Sequence, residues 1–280
     1  MSTEGLLSGW AFDPPIVGGI MVATLLYALG CRYQQGRPRR PWQPAAFGAG
    51  LLVIWLALQS PIEGWVDRLL WVHMLQHELL AVVAAPLLLL AGPLMPLWRA
   101  LPRSVRRWGV RQTWLRRGLH SIAALLRSPV VVWLLFLGGL TLWHLPPLYD
   151  LALAQETVHD FEHLLFLATA LLFWAQVIPT APLRPRLTYR GQALFVASAG
   201  LALHLLDFVF ILAASPLYPF YAAIQRTPSL PSVLADQTMA GGVMELLNMS
   251  IFAVAFALVL RRSWAPPDGN ARWRVVLKEA

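Results

Sequence analysis

Residues 69–92 read LLWVHMLQHELLAVVAAPLLLLAG, in which Glu78 is the only acid and no Lys or Arg occurs. Wound as a helix the stretch is about 36 Å long, enough to cross a hydrocarbon layer of about 30 Å. It therefore reads as a transmembrane helix. Two of its residues do not belong in hydrocarbon: His73 and His77 stand four apart, which stacks both imidazoles on one helix face. Unpaired polar groups are costly there, so such a pair marks a functional site. Glu78 follows His77, but position 81 is alanine, so the zinc-protease pattern HExxH fails.

The whole chain shares this character. Apolar residues make up 58% of its 280 positions and charged ones 13%, with a mean hydropathy of +0.58. A soluble domain is far less apolar and carries about twice the charge. The composition predicts an all-α, polytopic membrane helix bundle and excludes a soluble secreted protein. Seven stretches are long enough to span, near 15–33, 43–60, 69–92, 128–145, 157–178, 191–214 and 237–260. Together they predict one transmembrane domain over 1–280. Cys31 is the only cysteine, so neither a disulfide framework nor a CxxC site is available. The N-terminus lacks a basic leader region and is expected to be retained.

Net charge is +8, and its placement explains it better than nucleic-acid binding does. Of 22 Lys and Arg, 20 fall in the 31–42, 93–127 and 179–190 connections or in the tail; only Arg68 and Arg226 lie elsewhere. Basic residues collect on the cytoplasmic side, which predicts seven spans with the N-terminus out and the C-terminus in. The 93–127 connection holds eight arginines and no acid, and its 99–127 part is expected to lie on anionic lipid headgroups. Trp42, Trp65, Trp71, Trp98, Trp143, Trp174 and Trp264 fall near span ends and read as an interfacial belt.

That topology sends six of the seven histidines to the outer half; His120 alone is cytoplasmic. In 143–166, WHLPPLYDLALAQETVHDFEHLLF, a second pair, His159 and His163, repeats the four-residue spacing. Two such pairs on separate spans at similar depth favour a shared metal over interhelical hydrogen bonding. Glu156 is a candidate second-shell partner, whereas Asp160 and Glu162 read as a polar cap near water. His144, ahead of Pro146-Pro147, is either a ligand or a loop histidine. His204 and Asp207, three apart on the sixth span, are either a ligand with its carboxylate or a structural pair. In the seventh span, Ala240-Gly241-Gly242 should let a neighbouring helix approach closely. Met239, Met244 and Glu245 complete the candidate set, and thioethers beside imidazoles are what soft Cu(I) favours.

HMLQH at 73–77, WHLPPLYD at 143–150, HDFEHLLF at 159–166, Trp174 and QTMAGGVME at 237–245 together resemble the seven-span CtaG-type family of cytochrome c oxidase assembly factors. The resemblance implies a role in maturing the copper-containing subunit of a haem-copper oxidase, with copper delivered to its binuclear centre. His73, His77, His144, His159 and His163 match the family's histidines; Met239, Met244 and Glu245 fall in its last-span motif. His204 and Asp207 do not map onto its pattern.

The favoured reading is a multi-pass protein of the bacterial inner membrane holding copper, as Cu(I), in a site facing the periplasm. Its expected partners are an oxidase subunit, a periplasmic copper donor and the lipid bilayer; no nucleic acid and no catalytic turnover are expected. Three rivals stand beside it. One is a zinc or di-metal membrane enzyme with Glu78, Glu156 or Glu162 as base. Another is a redox protein with bis-histidine haem, which a Soret band would reveal. The last is a scaffold whose histidines only tie helices together.

Overall fold

The computed structural model describes residues 10–33, 40–111, 122–224, 227–228 and 230–264, with backbone only for 109–111. Across these residues run the helices α1 (Pro14–Arg32), α2 (Trp42–Gln59), α3 (Leu70–Leu90), α4 (Leu94–Ala100), α5 (Arg103–Arg111), α6 (Pro129–Trp143), α7 (Pro146–Ala154), α8 (Glu156–Trp174), α9 (Tyr189–Leu212), α10 (Pro219–Ala223) and α11 (Val233–Trp264). Among the described residues there is no β-strand, only an isolated bridge between Thr180 and Leu183.

Helices stand where all seven apolar stretches predict them. Five are long and apolar enough to cross a membrane: α1, α2 with its following turn (Trp42–Trp65), α3, α9 and α11. A sixth is counted if α6 and α7, bent by 73° at the break between them, form one broken span. That break is local chemistry. A residue before proline avoids helical backbone, and Leu145 is extended (φ −69°, ψ 132°), while Pro146 and Pro147 open α7. α8 has 19 residues, but His159, Asp160, Glu162 and His163 make its first half too polar for that class. Leu194, Leu201, Leu205 and Leu212 on α9 and Leu246 and Val254 on α11 face outward, as lipid contact requires. The chain is a membrane protein.

α3 lies at the centre: most of it is buried, whereas α1 and α11 are largely exposed. A helix buried on all sides must have every backbone group satisfied from within the protein. At its N-terminus Leu70 N and Trp71 N donate to the two carboxylate oxygens of Asp236 on α11, at 3.0 and 3.1 Å. Midway, Leu79–Ala84 form a π turn in which bonds run to the fifth residue back, as Ala85 N to Leu80 O does. In that register Pro86, which has no N–H, leaves Ala81 O without its donor. The indole N–H of Trp174 fills the gap at 3.1 Å. At the C-terminus Thr180 Oγ1 donates to Leu89 O at 3.1 Å and Tyr27 OH to Ala91 O at 3.0 Å. The chain leaves α3 at Gly92, in the left-handed region (φ 63°).

Trp174 is therefore not part of an interfacial belt. It is 1% exposed, because its donor is needed inside; Trp42, Trp98 and Trp264 are exposed as expected. The close approach predicted for the seventh span occurs at Gly241, where a Cβ would lie 2.8 Å from Asp207 O and 2.7 Å from Ile211 Cγ1. Gly242 faces open space. Within the arginine-rich 93–127 connection, α4 and α5 are helical; Trp114, Arg116, Arg117 and His120 lie outside the described residues, as do Arg37, Arg39, Arg226, Arg272, Arg274 and Lys278.

Replacing Trp174 by Phe should destabilise the detergent-solubilised protein by about 1–3 kcal/mol, the cost of orphaning a buried carbonyl. The control is Trp133→Phe, since Trp133 Nε1 donates to Ser198 Oγ in an exposed contact. Equal shifts of the two in a denaturant unfolding curve would refute the role given to Trp174.

Candidate metal centre

The buried face of α8 carries His159, Glu162, His163, Phe166, Ala170, Phe173 and Trp174, a continuous helical stripe that packs toward α3. α3 presents His73 and His77 to its upper half, and the four imidazoles close into a ring. Ring centroids are 4.4 Å apart for His73–His77, 5.3 Å for His77–His163, 4.2 Å for His163–His159 and 4.9 Å for His159–His73. One nitrogen from each lies within 4.8 Å of the others, and all four side chains are buried. Nitrogens on one tetrahedral ion would sit about 3.3 Å apart, given metal–nitrogen bonds of about 2.0–2.1 Å. His73 Nε2 and His159 Nε2 are already 3.1 Å apart, while the set as a whole is wider. The group could hold a metal ion in loose coordination.

The orientation of His73 comes from its other nitrogen. Nδ1 lies 2.8 Å from Tyr149 OH and 3.1 Å from Tyr221 OH. Tyr221 gives its own proton to Val66 O, so its oxygen is free to accept from Nδ1–H. Burial pushes the Tyr221 phenol well above its ordinary range, against the opposing hydrogen bond with Tyr149, and keeps it protonated. Nδ1–H donation leaves the Nε2 lone pair toward the ring centre, the way histidine ligands are commonly aimed. Tyr218, in the same short segment, donates to His144 O at 2.9 Å and stacks on Tyr149 with centroids 4.0 Å apart.

Around this ring the ordinary rule that buried polar atoms find partners is broken repeatedly. His77 Nδ1 and Nε2, His163 Nε2, His144 Nε2 and both oxygens of Glu162 are buried without a hydrogen-bond partner. Glu162 Oε1 is 3.9 Å from His77 Nε2, and its residue is 0% exposed. The expectation that Glu162 caps α8 near water is overturned. It lies three residues after His159 on the buried stripe, whereas Asp160 points out.

The family model for cytochrome c oxidase caa3 assembly factors matches residues 25–265. The chain belongs to that family. The motifs at 73–77, 143–150, 159–166 and 237–245 all fall within the matched range. Two uncharacterized proteins, from Mycobacterium bovis and Mycobacterium tuberculosis, are each 27% identical over 276 residues, covering 94% of this chain. The chain spans 40% of the length of those relatives. No solved structure matches it.

In this member of the family the remaining candidates fall outside the four-histidine group. His144 comes nearest, its ring 6.2 Å from that of His77 and its Nδ1 committed to Leu140 O at 2.7 Å. His204 is held by Glu245 at 2.8 and 2.9 Å, a pair between α9 and α11. Asp207 and Glu78 instead share the amide of Asn248, at 3.0 and 3.3 Å. Met244 is buried with Met74, Tyr149 and Tyr221, while Met239 is exposed beside Trp65 and Trp71. Glu156 is exposed at the mouth of a cavity that reaches His159 and His163. Sequence reasoning assigns nothing to Tyr149, Tyr218 or Tyr221. Three tyrosines in polar-edge segments that include LPPLYD and SPLYPFY are the available signal.

Tyr221→Phe removes both the Val66 link and an acceptor for His73. It should weaken metal binding about 10–100-fold, measured by titration against a competing chelator. Unchanged affinity would show that the phenol does not orient the imidazole.

Proposed function

We propose that this chain binds copper, as Cu(I), through His73, His77, His159 and His163 and passes it to the copper-bearing subunit of a haem-copper oxidase during assembly. The observation that carries the reading is the group of buried, unpartnered atoms on His77, His144, His163 and Glu162 around four converging imidazoles. A cation would engage one nitrogen each of His77 and His163 and give the Glu162 carboxylate a partner of opposite charge. Imidazole is a suitable donor for copper and zinc alike. The monovalent ion is favoured because net charge buried in a membrane is costly and Glu162 is the carboxylate buried beside His77.

His144 is the ligand in reserve, one ring away, and Met74 and Met244 pack with Tyr149 and Tyr221, the tyrosines that hold His73. Release proceeds by exchange of ligands, for which a loose, non-tetrahedral set is suited better than a closed structural site. No turnover is required. The oxidase partner follows from the family; a periplasmic copper donor is proposed with it.

The reading places the protein in the bacterial inner membrane as one domain of seven spans, N-terminus out and C-terminus in, with the site toward the periplasm. Its support is a separation of charge between the two ends of the bundle. Asp13, Glu63, Glu156 and Asp160 gather at the histidine end. Arg99, Arg103 and Arg106 meet Tyr33 at the other end, and Arg262 lies beside Leu90 there.

A strain lacking the gene should assemble oxidase that keeps its haem but has lost copper, with haem and copper assayed separately. The wild-type chain should restore the copper and should itself purify with copper bound, while the His73→Ala/His77→Ala chain does neither. Oxidase with normal copper in the deletion strain would end this reading.

A further inference from the structure

The histidine ring is sealed on one side and open on another. Tyr149, Tyr218 and Tyr221, each at most 1% exposed, close it toward α10 and α11. On the opposite side a cavity of about 380 Å³ has His159 and His163 in its wall together with Asp13, Glu63, Glu156 and Asp160. No Lys or Arg among the described residues lines it. His163, a residue 6% exposed whose Nε2 is buried and unpartnered, belongs to this wall.

The acids are held there by structure. Ala11 N donates to Gln59 O at 3.1 Å and Asp13 N to Gln59 Oε1 at 2.8 Å, which fixes the segment before α1 across the end of α2. Glu63 accepts from Gln76 Nε2, which also donates to Ala57 O at 2.9 Å, tying the cavity wall to the residue before His77. Glu156 opens α8, one turn ahead of His159 and Asp160.

We propose that this acidic cavity is a capture site through which a labile metal cation reaches the ring from solution, meeting His159 and His163 first. The inference rests on the reading of the four-histidine ring as a metal site. Clefts lined by charge of one sign concentrate the opposite ion and raise its rate of arrival. The step is ligand exchange without redox change. Weakly bound ligands leave the ion for the medium, carboxylate oxygens replace them, and imidazole nitrogens then displace the carboxylates, which return to their places in the wall. The cargo this site selects is a cation on weak neutral ligands; a metal carried in an anionic complex is repelled at the mouth.

The test uses the full-length protein in detergent, without oxygen, mixed rapidly with Cu(I) as its cationic acetonitrile complex. Bound copper is followed against time at several ionic strengths. For the wild type the uptake rate should fall steeply as salt rises. The Asp13→Asn/Glu156→Gln/Asp160→Asn variant should load about tenfold more slowly at low salt and lose most of the salt dependence. Glu63 is left intact because it anchors Gln76. If the triple variant does not fold, the wild-type salt dependence decides alone: a rate indifferent to salt overturns the capture site. Uptake by the variant at the wild-type rate, with the same salt dependence, also overturns it while leaving the metal reading standing. A wild-type chain that ends the reaction with no bound copper overturns both.

Discussion

A backbone carbonyl or amide in hydrocarbon has no water to turn to, and the architecture of this protein follows from how α3 meets that constraint. The helix is interrupted three times: at its start, at Pro86 and at Gly92. Each interruption is closed by a different part of the chain. Asp236 of α11 takes the first two amides, Trp174 of α8 gives its indole N–H to Ala81 O, and Thr180 and Tyr27 cover Leu89 and Ala91. These bonds fix the register of α3 against α8 and α11. Register is what a shared ion needs, since sliding one helix by a residue would turn a histidine pair away from its partner pair.

Against that background the exceptions stand out. A bundle that brings a tryptophan inward to satisfy one carbonyl nevertheless leaves His77, His163 and Glu162 with bare polar atoms at its histidine end. The second polar cluster also leaves Glu78 Oε2, Asp207 Oδ1 and Asn248 Oδ1 without partners, but it is cross-linked by hydrogen bonds between helices. There Asn248 bridges Glu78 and Asp207, and Glu245 grips His204 with both oxygens. Those groups join α3, α9 and α11 through polar contacts within the bundle. His204 is held by Glu245 alone, whereas His77 and His163 stand among four converging imidazoles, which is why the cation reading attaches to the ring and not to His204.

Much of this is legible in the chain. Apolar length locates the helices, Pro146-Pro147 locates the bend, and the two four-residue histidine spacings locate the ring. Glu162 is misplaced by its distance from the span end and placed correctly by its face. Its spacing of three from His159 and four from Phe166 puts it on the buried stripe. Trp174 is misplaced in the same way, although Pro86 announces a carbonyl in need of a donor. Other features lie beyond single-sequence reasoning. Nothing local says that Tyr221 meets a histidine 148 residues away, or that His204 pairs with Glu245 of α11 before it pairs with Asp207 of its own helix. Those are consequences of how α9 and α11 pack at Gly241, where the pattern promises closeness without naming the contact.

On the proposed reading, the geometry of the ring suits a carrier better than a resident site. Two pairs on two helices give four donors whose spacing along each helix is set by the backbone and whose spacing across is set by packing. The result here is a quadrilateral of rings with sides from 4.2 to 5.3 Å. A site built to keep its metal would draw all four nitrogens to one distance and shut out water. This one has His73 backed by tyrosines and the other pair, His159 and His163, bordering an acidic opening. An ion held so would be fixed from the His73 side and reachable from the other. That asymmetry is what stepwise exchange of ligands demands: His159 and His163 can take up or give up the ion while His73, fixed through its Nδ1, stays aimed at it.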